Sequence, residues 1–214
     1  MYVGRIVAVG RTKEDKWVVM YRVSSRSFPN RQAKVAGNTV SIIPKQGHES
    51  DVFSNPYISY NCLRIIGDFA VASNGSHTDP ITEKIGSGMP VRDAIASALL
   101  GMDFEHDAYN TPRIAAVVDR KGKSGALGIV RSDAILVQQV DLAWGEVNYL
   151  ATYEHDRPDK KFGDAHFTVQ TSEEACEYIL GKGVFADLER PITAACAIES
   201  GATYSISIKE AASA

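Results

Sequence analysis

Cysteine is scarce: Cys62, Cys176 and Cys196 are odd in number, widely separated and never spaced as C-x-x-C. Such a set frames neither a disulfide scaffold nor a zinc site, and it fits buried thiols in a reducing cytoplasm. No apolar run approaches the roughly 18 residues of a transmembrane helix, so no membrane partner is expected. The opening Met1-Tyr2-Val3-Gly4-Arg5 lacks an apolar stretch before a small-residue cleavage site, so no signal peptide is expected. No G-x-G-x-x-G or Walker-type loop follows a strand, which removes the main support for dinucleotide or NTPase chemistry. The histidines, at positions 48, 77, 106, 155 and 166, are too dispersed for metal-ligand spacing; no metal or other cofactor is expected.

Acid is absent from one long window. Between Lys16 and His48 there is no Asp or Glu, while Lys16, Arg22, Arg26, Arg31, Lys34 and Lys45 supply six positive charges. The chain carries −3, so the remainder sums to −9 once those six are set aside. A basic pocket in an acidic protein suits a small anion, whereas a nucleic-acid binder is usually basic across a whole face. Within the window, Tyr21-Arg22-Val23-Ser24-Ser25-Arg26-Ser27-Phe28-Pro29-Asn30-Arg31 interleaves arginines with serines. On a strand, residues 22, 24 and 26 share a face because side chains alternate. A phosphate could then take donors from Arg22, Ser24 and Arg26, since the guanidinium fork pairs two hydrogen bonds to phosphate. Asn30 and Arg31, around the Pro29 turn, are further candidates. The competing reading is a solvated strand and loop with scattered surface charge.

Hydropathy periodicity predicts many strands and few helices. Strands are expected over residues 2–9, 17–23, 39–43, 60–66 and 69–72, with Gly67-Asp68 as a hairpin turn and Asn74-Gly75-Ser76-His77 as a tight loop. Residues 79–85 and 91–100 carry apolar side chains at helical spacing, with Pro90 suited to a helix start. Further strands follow over 114–118, 126–130, 135–140 and 147–152. Thr171-Ser172-Glu173-Glu174 is a capping box opening a third helix, and 192–198 with 204–208 form a closing strand pair. At 214 residues the chain is expected to form one domain, 1–214, of class α+β, with helices packed outside antiparallel sheets.

Four motifs carry a family resemblance. The Tyr21 to Arg31 stretch, Asn55-Pro56-Tyr57-Ile58-Ser59-Tyr60-Asn61, Ser73-Asn74-Gly75-Ser76-His77-Thr78-Asp79 and Asn110-Thr111-Pro112-Arg113-Ile114 together resemble archaeal-type IMP cyclohydrolase. The resemblance runs to Pro191-Ile192-Thr193-Ala194-Ala195 and is weakest over residues 119–163. It implies a four-layer α-β-β-α sandwich similar to the amino-terminal-nucleophile hydrolases. It lacks their nucleophile, since neither Met1 nor Tyr2 can attack. It also implies a purine ribonucleotide substrate and a homo-oligomer. The implied reaction is cyclodehydration of 5-formamidoimidazole-4-carboxamide ribonucleotide to inosine monophosphate and water, the last step of de novo IMP synthesis. A non-catalytic purine-monophosphate-binding module is the alternative.

That reaction needs a phosphate anchor, a base for a poorly nucleophilic amide nitrogen and a donor for the developing oxyanion. Arg22, Arg26 and Arg31, helped by Ser24 and Asn30, are the anchor candidates. Tyr60, opening a strand with Asn61, is the donor candidate, or else a phenol that caps a loop. Phe28, Tyr57 and Tyr60 either edge the base or pack the core. Asn74, Ser76 and His77 either hold ribose or phosphate or simply make a turn. Glu105, in Asp103-Phe104-Glu105-His106-Asp107, is the base candidate with Asp103 in reserve, unless the run is a solvated loop. Asn110 and Arg113 position substrate, or Arg113 pairs with that acidic run.

Overall fold

The structure is a computed structural model and describes residues 1–212. In chain order the first strands are β1 (Ile6–Arg11), β2 (Trp17–Ser24), β3 (Arg31–Ala36) and β4 (Thr39–Pro44). A single turn α1 (Asp51–Ser54) precedes β5 (Tyr60–Ile66) and β6 (Phe69–Ser73), and then come α2 (Thr78–Gly86) and α3 (Val91–Met102). Four strands follow: β7 (Arg113–Asp119), β8 (Ser124–Arg131), β9 (Ala134–Val140) and β10 (Glu146–Ala151). The short β11 (Gly163–Asp164), α4 (Ser172–Gly181), β12 (Pro191–Ser200) and β13 (Thr203–Glu210) complete the order.

Two antiparallel sheets result. One has six strands in the order β11-β10-β1-β2-β12-β13, and the other seven in the order β3-β4-β5-β6-β7-β8-β9. Strand alternation sorts the apolar side chains into three layers. Val7, Val9, Trp17, Val19 and Tyr21 of the first sheet meet Ile42, Cys62, Ala72, Ile114 and Leu127 of the second. On the outer face of the first sheet, Ile6, Ala8, Val18 and Met20 pack under Cys176 and Ile179 of α4. On the outer face of the second, Val71, Ala115 and Val117 lie beneath Ile81, Ile95 and Leu99 of α2 and α3. The arrangement is the four-layer α-β-β-α sandwich. All three cysteines are buried free thiols, and no helix among the described residues is long and apolar enough to cross a membrane.

Local chemistry explains the element ends. Thr171 accepts a hydrogen bond from the Glu174 amide, and the Glu174 carboxylate accepts one from Gln170, so α4 starts where the capping box places it. The first strand begins later than periodicity suggests. Gly4 bends the chain at φ +73°, and a β-carbon there would collide with Thr152 Oγ1 and the Tyr153 ring. β3 has no counterpart in the pattern because Arg31, Lys34 and the short Ala33 and Ala36 mask its alternation; it is an edge strand, where such charge belongs.

The arginine at position 22 corrects one expectation. Even-numbered residues of β2 face α4, so Arg22 and Ser24 point away from any cleft between the sheet ends. Arg22 is fully buried, and every N–H of its guanidinium is engaged. Nε donates to Ser24 Oγ at 2.9 Å; Nη1 donates to the carbonyls of Ile179 and Leu180, and Nη2 to those of Leu188 and Glu189. Burial lowers its pKa to about 10, which still leaves it charged at neutral pH. It thus satisfies carbonyls at the end of α4 that have no partner within the helix, and its charge complements the helix dipole. Arg22 has no donor left for phosphate, and Ser24 is fully buried beside it. Arg22→Ala strands four carbonyls and should lower unfolding free energy by about 3 kcal/mol or more in a denaturant titration, while Michaelis constants of the surviving fold stay unchanged.

Candidate active site

At one end of the sandwich the start of β1, the ends of β2 and β10 and the loops before β5 and β7 converge. They enclose a cleft of about 580 Å³ lined by Tyr2, Arg5, Ser25, Arg26, Ser27, Phe28, Asn55, Asp107, Tyr109 and Tyr153. The rim is hydroxyl-rich, and it sets Arg5 and Arg26 against Asp107 and Glu154. Arg26 lies over the Tyr2 ring, 4.3 Å from its centroid, and Ser25 Oγ accepts from the Phe28 amide, which folds the Ser25-Arg26-Ser27 corner.

Buried charge collects beneath the cleft. Arg5 Nη2 donates to Glu105 Oε2 at 2.9 Å, and Arg113 Nη1 stands 3.9 Å from Glu105 Oε1. Glu105 is only 1% exposed. Desolvation raises its pKa above the ordinary carboxylate range, although Arg5 and Arg113 pull the other way; Asp107 adds to the rise. Beside this pair the hydroxyls of Tyr21 and Tyr60 lie 2.5 Å apart with their rings edge to face. Burial pushes both phenols up, and for Tyr60 the Arg31 and Arg5 charges partly oppose it, so both are neutral donors near pH 7. Arg31 is buried, its Nε donates to the Phe28 carbonyl, and it has no carboxylate partner among the described residues; desolvation lowers its pKa. The centre combines a desolvated carboxylate, a coupled phenol pair and a guanidinium without a counter-ion. Those are the parts of a proton acceptor, a proton donor and an oxyanion stabiliser.

The other candidates separate cleanly. Arg26 is on the rim, where it pairs with Glu189 at 3.2 Å. Asn30 bonds His48 beyond the Pro29 turn, outside the cleft. Asn61 accepts from Ser41 and donates to Asp79, so it fastens α2 to β5 on the far side of the sheet. Asn74 is buried and bonds Pro112 and Ile114. Ser76 is exposed at the turn, and His77 is buried behind Arg113. Asn110 sits at φ +47° in the loop before β7 and lines a shallower groove next to the cleft. Tyr57 places its ring 5.6 Å from the Arg113 guanidinium, and Phe28 lines the cleft wall. Asp103 supplies a backbone carbonyl to Arg113 Nε.

Comparison with known proteins meets this geometry. The sequence profile of a family described as IMP cyclohydrolase-like protein matches residues 2–203. The chain belongs to this family. It is 47% identical to an IMP cyclohydrolase of Methanosphaera stadtmanae over 197 residues, covering 92% of this chain and 94% of that protein. It is 46% identical to one of Methanococcus maripaludis over 196 residues, with 91% and 94% covered. It is 45% identical to one of Methanocaldococcus jannaschii over 199 residues, with 92% and 94% covered.

Some cleft residues escape a reading of motifs. Arg5, Tyr109 and Tyr153 lie outside every motif, while Tyr21, Ser25 and Asp107 lie within motifs whose candidates were other residues. Arg5 left a trace: it is the lone cation between an apolar strand and Gly4, whose conformation turns the chain toward Thr152. Tyr21 opens the arginine–serine motif, yet an aromatic at an inward strand position reads as core.

His77 gives the site a measurable pH signature. Its Nε2 donates to the Ile114 carbonyl at 2.9 Å, and burial lowers its pKa to about 3. In the unfolded chain it titrates near 6.5. Between these values the unfolded state binds a proton that the folded state does not, so stability is complete above about pH 6.5 and falls as pH drops toward 3. Chemical denaturation from pH 7 to 4 should show that slope, and His77→Gln should flatten it.

Proposed function

We propose that this protein is an IMP cyclohydrolase that closes 5-formamidoimidazole-4-carboxamide ribonucleotide to inosine monophosphate with release of one water. Family membership supports the reaction, and one observation supports the site: the desolvated Glu105 beside the hydrogen-bonded Tyr21–Tyr60 hydroxyls, beneath a cleft rimmed by Arg26 and serines.

Nucleophile and electrophile belong to one substrate, so the protein's task is orientation and proton handling rather than encounter. Arg26 with Ser25 and Ser27 anchors the phosphate at the rim. The carboxamide nitrogen bonds to the formyl carbon while Glu105 takes one of its protons. Tyr60 gives its proton to the formyl oxygen, and Arg31 and Arg5 stabilise the charge that develops on both oxygens. The hydroxyl of the adduct then leaves as water with the proton held by Glu105. The formamide N–H proton restores Tyr60 as the ring C=N bond forms. Tyr21, bonded to Tyr60, polarises its O–H and makes it a better donor.

A raised Glu105 pKa matters here, because a base works best when it titrates near the working pH. A homo-oligomeric, cytoplasmic protein is part of the proposal. The uncharged edge strand β9, with Ile135 and Leu136 exposed, and the three buried free thiols support it. Sedimentation showing a monomer at high concentration would remove the first half.

Purified protein should form the purine ring, followed by its absorbance, without added metal or nucleotide. Well-folded protein that gives no product from pH 5 to 9 would defeat the proposal and leave only the binding-module alternative. Glu105→Gln should cut kcat by about 10²-fold or more with little change in Michaelis constant, and Tyr60→Phe should act in the same sense. Arg26→Ala should instead raise the Michaelis constant by about tenfold, the value of one charged contact.

A further inference from the structure

The turn between β6 and α2 does not line the cleft, yet the side chains of Asn74 and His77 both bond the strand start that carries Arg113. Asn74 Nδ2 donates to the Pro112 carbonyl at 3.0 Å, and its Oδ1 accepts from the Ile114 amide at 2.7 Å. The Asn74 amide and His77 Nε2 both donate to the Ile114 carbonyl. The residues on either side of Arg113 are therefore clamped by one turn. Gly75 has an ordinary negative φ, so its backbone conformation does not demand glycine. Space does: a β-carbon at Gly75 would stand 2.7 Å from Arg113 Nη1 and 3.2 Å from His77 Nδ1. Those two atoms, a donor and the bare acceptor of a neutral imidazole, face one another across that point, and neither has a hydrogen-bond partner. Glu105 Oε1, 3.9 Å from Arg113 Nη1, is a third buried polar atom without one. Arg113 Nε is fixed separately by the Asp103 carbonyl at 2.8 Å.

We propose that this turn is a seat for Arg113, with Gly75 and His77 as positioning residues that hold its guanidinium against Glu105 and so set the proton affinity of the base. The inference rests on the assignment of Glu105 made above. Gly75 leaves the room, His77 presents an acceptor behind the guanidinium, and Arg113 carries the effect to the carboxylate. The charged groups facing Glu105 are Arg5 from the segment before β1, Arg113 from β7 and Asp107 from its own loop. Of these, the position of Arg113 alone depends on the turn. Displacing Arg113 alters a charge that favours the carboxylate form, so the midpoint of Glu105 should shift with the Arg113–Glu105 separation.

The test is a carboxyl titration of Glu105 in the ligand-free protein, by carbon NMR with labelled glutamate, alongside pH–rate profiles. Gly75→Ala should shift the Glu105 midpoint and move the ascending limb of kcat with it. Turnover along that limb should change severalfold, with the Michaelis constant unchanged. His77→Ala should do the same, and His77→Gln, which keeps a donor for Ile114 and an acceptor oxygen, should restore most of the profile. An unmoved Glu105 midpoint in folded Gly75→Ala or His77→Ala overturns the proposal, and so does a rise in Michaelis constant with an unchanged profile. Should Gly75→Ala not fold, the two His77 variants decide alone. The NMR midpoint needs no turnover, so a shift there with Glu105→Gln fully active would show the seat intact and the base assignment wrong.

Discussion

A carboxylate sealed from water between two guanidinium groups sets the terms for the rest of this protein. Removing Glu105 from solvent costs several kcal/mol, and Arg5 and Arg113 offset that cost only while their geometry is held. Much of the surrounding structure can be understood as holding it. Gly4 bends the chain so that the Arg5 amide reaches Thr152 Oγ1, Thr111 receives the Glu105 amide, and the turn before α2 grips both neighbours of Arg113. The balance is not neutral. Arg5, Arg31 and Arg113 are all buried or nearly so against a single buried glutamate, which leaves the end of the sandwich short of negative charge. In the proposed reaction an anionic nucleotide supplies it.

The arginines of the acid-free window illustrate how one stretch of sequence serves two layers. Alternation along β2 sends Tyr21 inward to Tyr60 and Arg22 outward to α4, although they are adjacent. One becomes part of the candidate site and the other a fastening between a sheet and its covering helix. Arg26 and Arg31, beyond the end of β2, escape that alternation and return to the cleft side. Charge density along the chain therefore marks the neighbourhood of an anion site, while the period of the strand decides which cations reach it.

The layered architecture was readable because its strands are long and regularly apolar: β2, β5 and β8 show their inward faces directly. β3 was not, since its alternating positions are occupied by arginine, lysine and alanine. In the site, Tyr60, Glu105, Arg31 and Arg113 could be picked out because polar groups in otherwise apolar or turn contexts demand an explanation. Asn61 and Asn74 attracted attention for the same reason, but they spend their hydrogen bonds on fastening α2 and β7. Residue type cannot separate these cases, because an amide that braces two strands and one that holds a ligand offer the same donors. Tyr21 and Arg5 were hidden for the opposite reason: each fits its local pattern, and only the meeting with distant Tyr60 and Glu105 makes them chemically exceptional.

Glu189 joins the two kinds of arginine. Its backbone carbonyl receives the buried Arg22, while its carboxylate is divided between the Met1 ammonium at 3.1 Å and the rim guanidinium of Arg26 at 3.2 Å. These surface pairs are individually weak and easily screened. If Arg26 anchors the substrate as proposed, an incoming phosphate competes with a resident acid for it, and dissolved ions loosen both the resident pair and the newcomer. Ionic strength then acts on a difference between two attractions, so nucleotide affinity at this mouth should depend on salt less steeply than the count of charges around it suggests.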